Sequence, residues 1–312
     1  MFELQILLGN VVAPLAIVLI GYRALPPACR SRAISFVLAA CSGLAIWVAL
    51  AIRNGFAWWP EDAWQKVPMT ALIVTAVAMI TEFFRSRFFG SSRTFNPVEK
   101  NSSAARLEPR RSASDLIICV AIAIAAAAAA WLIYPRGETG AELQDQQYQW
   151  CAVITLAASF GWWGIAGCQP TVASTVGLAT IPLLIASAFM TSLSIMKVTE
   201  PLIAIATVLG LCSLIDLRLT GRRSLPIMIA PTLFAMSGFI AHASFQSYLN
   251  LPRGLYFLAM LSPAIVALVA RMTQRKSTQF AIGVSILLAL LLAGAIGTWA
   301  YLAGEVGSAD EW

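Results

Sequence analysis

Charge is what this sequence has little of. Asp, Glu, Lys and Arg make up 12% of its 312 residues, against 59% hydrophobic residues and a mean hydropathy of +0.77. Soluble domains carry roughly 25% charged residues, so about half of an ordinary solvated surface is missing. Histidine is scarcer still, with His242 the single example. One histidine excludes haem held by two, and no Cys/His spacing suggests zinc. The six cysteines include no CxxC pair, which argues against both a disulfide framework and a metal site. Paired carboxylates, a serine beside a base, a glycine-rich phosphate loop and a lysine within the last apolar run are all lacking. These absences leave no candidate catalytic residue, no metal ligand and no implied cofactor.

What the sequence does have is long apolar runs. Segments of roughly 17–25 such residues are long enough to cross a hydrocarbon core, and they recur along the whole chain. The apolar/polar alternation of a barrel is absent, so helices must satisfy the backbone in lipid. Ten spans are predicted, at 4–22, 33–52, 67–84, 115–134, 149–168, 171–190, 201–217, 225–244, 254–270 and 279–303. The N-terminus opens Met1-Phe2-Glu3 with no basic residue before the first run, so Leu4–Tyr22 is read as a retained helix. The expected fold is all-α, a polytopic integral membrane bundle with both termini on the outer side.

Orientation follows from the cations. The stretch from Arg85 to Ser114 carries Arg85, Arg87, Arg93, Lys100, Arg106, Arg110 and Arg111. Further clusters follow the first span (Arg23, Arg30, Arg32), the seventh (Arg218, Arg222, Arg223) and the ninth (Arg271, Arg275, Lys276). The opposite face receives only Arg53, Lys66, Arg136, Lys197 and Arg253. Basic residues are retained on the cytoplasmic side, which places the first set inside the plasma (inner) membrane. The domain reading is three helices over 1–84, a disordered cytoplasmic linker over 85–114, seven helices over 115–303 and an acidic outer tail over 304–312. The linker is basic enough to suggest nucleic acid, but a solvated positive-inside loop accounts for it, and no nucleic-acid partner is expected. The turn Gly167-Cys168-Gln169-Pro170 is the weak point, because it must be cytoplasmic and carries no charge.

Aromatic and small residues give the next layer. Trp58, Trp59, Trp64, Trp131, Tyr134, Trp150, Trp299 and Tyr301 fall at outer span ends, as an interfacial aromatic belt. Gly161, Gly164 and Gly167, and again Gly294 and Gly297, are spaced for close helix packing. Glu82, Asp216, Lys197 and Glu200 read as interfacial surface pairs rather than midplane charges. His242, near the outer end of the eighth span, is a candidate for proton relay or for hydrogen bonding to a solute.

Prolines supply the one pointer to transport. A proline removes a helix N–H and frees the carbonyl about four residues earlier. Pro14, with Asn10 nearby, and Pro182 sit mid-span in the first helix of each half of a five-plus-five division. Paired interruptions mark midplane transporter sites, so Asn10, Pro14, Pro182 and His242 form the predicted substrate-binding set. The function expected is a carrier or channel for a neutral, amphipathic or lipidic solute. The alternative is a non-catalytic membrane subunit or anchor of a larger complex. Implied partners are the lipid bilayer, such a solute, and other membrane proteins or further copies of the chain.

Overall fold

A computed structural model describes residues 11–24, single positions within 37–48, and residues 63–88, 104–134, 140–193, 196–218, 225–246 and 251–309. Among these residues there is no strand. The helices are α1 Ala13–Ala24, α2 Val67–Phe88, α3 Ala104–Ile133, α4 Gly140–Ala166 and α5 Pro170–Ser192. They continue with α6 Met196–Arg218, α7 Leu225–Phe245, α8 Arg253–Thr273 and α9 Thr278–Ala309. A 3-10 turn, Ala63–Lys66, leads into α2. Among the described residues, six helical segments are long and apolar enough to cross a membrane: 115–133, 170–192, 198–218, 225–245, 253–273 and 278–303. Ala13–Ala24 and Val67–Thr81 are shorter apolar helices. α4 packs in the same bundle, but its glutamines, paired tryptophans and glycines dilute its apolar character.

α7 is the axis. Every residue from Leu225 to Ala243 is buried, and α2, α3, α4, α5, α6 and α8 all pack against it. A helix apolar on every side suits only such a central position. The perimeter is apolar as well: Leu116, Ile117, Val120 and Ile124 of α3 and Leu287, Leu290 and Leu291 of α9 are exposed. Outward aliphatic surface on this scale suits lipid rather than water.

In lipid the hydroxyls must find partners within the protein. Thr75, Ser159, Thr232 and Ser285 each donate to the carbonyl four residues earlier. Ser262 does more specific work. Pro263 has no N–H for the Ala259 carbonyl, and Ser262 Oγ donates to that same oxygen at 3.0 Å. α8 therefore continues through its proline.

The ends of the helices pair consistently. Gly238 of α7 lies against Val67 and Ile133, which brings the start of α2 and the end of α3 to the end of α7. At the other end, Asp216 Oδ2 accepts the Leu225 N–H at 2.8 Å. A carboxylate from α6 thus caps the first turn of α7, where N–H groups lack helical partners. The uncharged turn after α4 is also served from a distance. Arg271 of α8 donates to the Trp163 carbonyl and its guanidinium stacks 4.1 Å from the Trp163 ring centroid. Gln274 donates to the Gly167 carbonyl at 2.7 Å and accepts from the Gln169 N–H at 2.9 Å. The turn borrows the charge it lacks.

Several expectations need correction. The segment 85–114, read as disordered, is helical at both ends, because α2 reaches Phe88 and α3 begins at Ala104. Its centre, 89–103, lies outside the described residues. Ala104, Ala105, Arg106, Leu107 and Glu108 are strong helix formers, so the helix continues where the apolar run stops. Glu200 and Asp216, read as surface pairs, are buried. Trp131, Trp299 and Tyr301 are exposed as a belt requires, whereas Tyr134 and Trp150 are buried. Trp58, Trp59 and Trp64 lie outside the described side chains. Gly161 and Gly164 meet α7 and α8 closely, but Gly294 and Gly297 have nothing within 4 Å of an added Cβ.

Candidate functional site

Between α1, α5 and α6 lies a cleft of about 390 Å³. Its walls follow from how α5 and α6 pack. Ser213 of α6 sits against Gly177 of α5, and Ile181 of α5 sits against Gly210 of α6. Missing side chains let the two backbones approach at these levels. Next to them Ala188 and Ala206 are too small to fill the space left against α1. Leu15 of α1 closes one side, Ile181, Leu184 and Ile185 form the second, and residues from Leu202 to Leu214 form the third. Among the described lining side chains only Thr207 is polar, and its hydroxyl donates to the Ile203 carbonyl at 2.9 Å. The described walls are thus mostly hydrocarbon, which suits an apolar chain.

α1 reaches this cleft through a second, smaller apolar cluster. Val18, Ile17 and Tyr22 share it with Val208, Leu211, Cys212 and Ile215 of α6, and with Ala78, Ile227 and Met228. α1 and α6 are thus in direct packing contact. Gly21 lies against Cys41, so described positions within 37–48 also pack against α1.

The predicted site residues divide. Pro14 is buried in the first turn of α1, beside the lining residue Leu15. Val11 and Val12, just before it, are π-helical, an arrangement that locally departs from the α-helical hydrogen-bond ladder. Pro182 follows the lining residue Ile181 and is half-buried, but α5 runs through it from Pro170 to Ser192 without interruption. The two prolines therefore neighbour one cleft, although the second does not break its helix. Asn10 lies outside the described residues.

His242 belongs elsewhere. It is 3% exposed, and its Nε2 lies 3.1 Å from the Ile133 carbonyl oxygen. That oxygen is one of the last carbonyls of α3, which have no helical donor. An Nε2–H tautomer donates to it and ties α3 to α7. Phe245 packs edge-on against the ring at 6.2 Å, in an aromatic group that includes Tyr134 and Trp150. His242 thus caps the end of α3 and is not among the residues that line the cleft.

Sequence reasoning passed over the residues that shape the cleft. Ala188, Ala206 and Gly210 are ordinary small residues in apolar helices, and only their alignment across two helices makes space. A usable signal was the small-residue spacing Ala206–Gly210, four apart on one helical face. No family model, curated protein or solved structure matches the chain.

Proposed function

We propose that this protein is a membrane carrier for a lipidic solute, which enters the lateral cleft between α1, α5 and α6. The observation that supports this is the cleft itself: apolar on all three walls, open at the bundle's edge, and neighboured by Pro14 and Pro182. An aqueous channel is the weaker form of the reading, because α7 fills the axis where a pore would run. Transport needs the cleft to exchange its contents, and the π-helical start of α1 beside Pro14 is the place where such movement meets least backbone resistance. The second reading, a membrane subunit or anchor, draws on a different observation: the uncovered small-residue face of α9 at Gly294 and Gly297.

The experiment uses a diacyl phosphatidylcholine bearing a photoreactive group in one acyl chain. With purified full-length protein, cross-links are expected on α6 between Leu202 and Leu214. Thr207→Trp fills the cleft with an indole and should lower this labelling at least about tenfold, the loss expected when one good apolar contact site of roughly 1.4 kcal/mol is occupied. Labelling of α6 that is unchanged in Thr207→Trp overturns the cleft as the binding site.

The same proposal includes the full topology: ten crossings, both termini outside, and the basic loops in the cytoplasm. In a background without native cysteines, Ser102→Cys should react with an impermeant thiol reagent only after cells are permeabilised. Ser308→Cys should react in intact cells. Reaction of both from one side overturns the ten-span count.

A further inference from the structure

The cleft lies at the middle of its two long walls rather than at one end. α5 and α6 run antiparallel, and three contacts match them level by level. Thr191 Oγ1 lies 3.3 Å from Thr199 Oγ1, Ile181 meets Gly210, and Gly177 meets Ser213. Moving back along α5 thus means moving forward along α6. The centre of the apolar segment 170–192 is Ile181, and the centre of 198–218 is Val208. Because Ile181 is level with Gly210, the two helices put the membrane midplane at levels only about 3 Å apart, at 1.5 Å per residue. The lined stretch of α6 runs from Leu202 to Leu214, centred on Val208. It therefore reaches about 9 Å into each leaflet.

Along this length the cleft opens sideways. Ile203 near one end, Leu214 at the other and Ile185 of α5 are all exposed. Thr207 gives its hydroxyl to the Ile203 carbonyl, and among the described lining residues none is charged. Nothing in these walls is placed to read a headgroup.

The depth sets the length of the occupant. A hydrocarbon core is roughly 30 Å thick, so a tail that starts at one interface and ends at the midplane fills only the near half of the cleft. To fill all of it a tail must run about 24 Å, roughly one and a half leaflets. Two ordinary tails, one from each leaflet, fill it only by ordering two molecules in place of one. Resting on the carrier reading above, we infer that the cleft takes a lipid whose single chain crosses the membrane midplane, and that it selects by chain length and not by headgroup.

The test competes isoprenoid alcohols against the photoreactive phosphatidylcholine, with full-length protein in phosphatidylcholine nanodiscs. A three-unit alcohol is no longer than a leaflet, whereas a nine-unit alcohol crosses the midplane. Compared at equal mole fraction of isoprene units, the longer alcohol should displace the α6 label at about one-tenth of the amount, the equivalent of 1.4 kcal/mol. Its phosphate ester should compete equally well. Equal displacement by the two alcohols, or a preference for the phosphate ester, overturns this inference and leaves the cleft standing. Thr207→Trp sets an indole beside the level of Val208, so the length preference should vanish from the label that remains. Thr207→Val keeps the volume and should keep the preference. A preference that persists in Thr207→Trp, or is lost in Thr207→Val, also overturns the inference. Absence of any α6 label in the unaltered protein overturns the carrier reading and this inference with it.

Discussion

Gly164→Leu is expected to lower the melting temperature by roughly 10 °C, while Gly294→Leu leaves it within about 2 °C. The contrast rests on what each added side chain would meet. A Cβ at Gly164 would lie 2.7 Å from both the carbonyl carbon and the Cβ of Ala267, and 3.0 Å from its oxygen. Backbone cannot rotate aside as a flexible side chain can, so α4 and α8 must separate. Overpacking of this kind costs about 1–3 kcal/mol, and a rigid obstacle places Gly164 at the upper limit. At this chain length each kcal/mol moves the midpoint by roughly 2–4 °C. Gly161 offers a milder comparison, because its obstacle is the tip of Leu233, which has rotamers to spare. At Gly294 there is nothing within 4 Å. A thiol-reactive dye reads the transition conveniently, since Cys168 and Cys212 are buried until the bundle opens. A destabilised Gly294→Leu would show that another helix covers α9, which favours the subunit reading over the carrier. An unshifted Gly164→Leu would mean that α4 and α8 are not in contact there.

Hydropathy showed where helices meet lipid better than where they stop. The predicted spans 171–190, 225–244 and 254–270 sit inside α5, α7 and α8, within about three residues at each end. α3 and α4 are another matter, starting eleven and nine residues before their predicted spans at 115 and 149. An apolar run ends where water begins, whereas a helix ends where its hydrogen bonds do. Ala104 to Glu108 and Ala141 to Gln149 are polar enough to leave the membrane and good enough helix formers to stay wound. Rank in burial was harder to read. The apolar run 225–244 resembles its neighbours in length and lack of charge, yet it is buried at every residue from Leu225 to Ala243.

The site was legible only in part. Leu15 and Ile181, the residues beside Pro14 and Pro182, line the same cleft. The assumed mechanism was wrong for Pro182, whose helix continues. His242 reads as chemistry because it is the single histidine, and in the fold its Nε2 lies 3.1 Å from the Ile133 carbonyl oxygen at the end of α3. Asp216 resembled a partner of Arg218 by proximity in sequence, yet its carboxylate reaches nine residues on to Leu225. Polar groups at helix ends take their roles from the neighbouring helix, and one sequence read alone does not contain that neighbour.

Trp150→Ala should be the most damaging truncation in the bundle, costing about 3 kcal/mol and roughly 10 °C. Sequence position suggested a tryptophan of the interfacial belt, which would tolerate the change. Trp150 is instead 2% exposed, and its ring meets Phe245 of α7 at 5.2 Å and Phe257 of α8 at 4.7 Å, both edge-on. Tyr256 stands at 6.4 Å. One side chain thus joins three helices near the end where His242 also ties α3 to α7. Burial from lipid brings little of the hydrophobic gain that burial from water does. The loss is therefore one of dispersion contacts and edge-to-face pairs, the latter worth about 0.5–1.5 kcal/mol each, and it falls at the low end of the range for a buried aromatic. Trp150→Phe keeps part of these contacts and should cost less than half as much. Trp299→Ala is the control: that ring is 43% exposed, and surface changes usually stay within about 0.5 kcal/mol. The measurement is the thermal midpoint of each variant in one detergent. Equal shifts for Trp150→Ala and Trp299→Ala would return Trp150 to the belt and remove the aromatic junction between α4, α7 and α8.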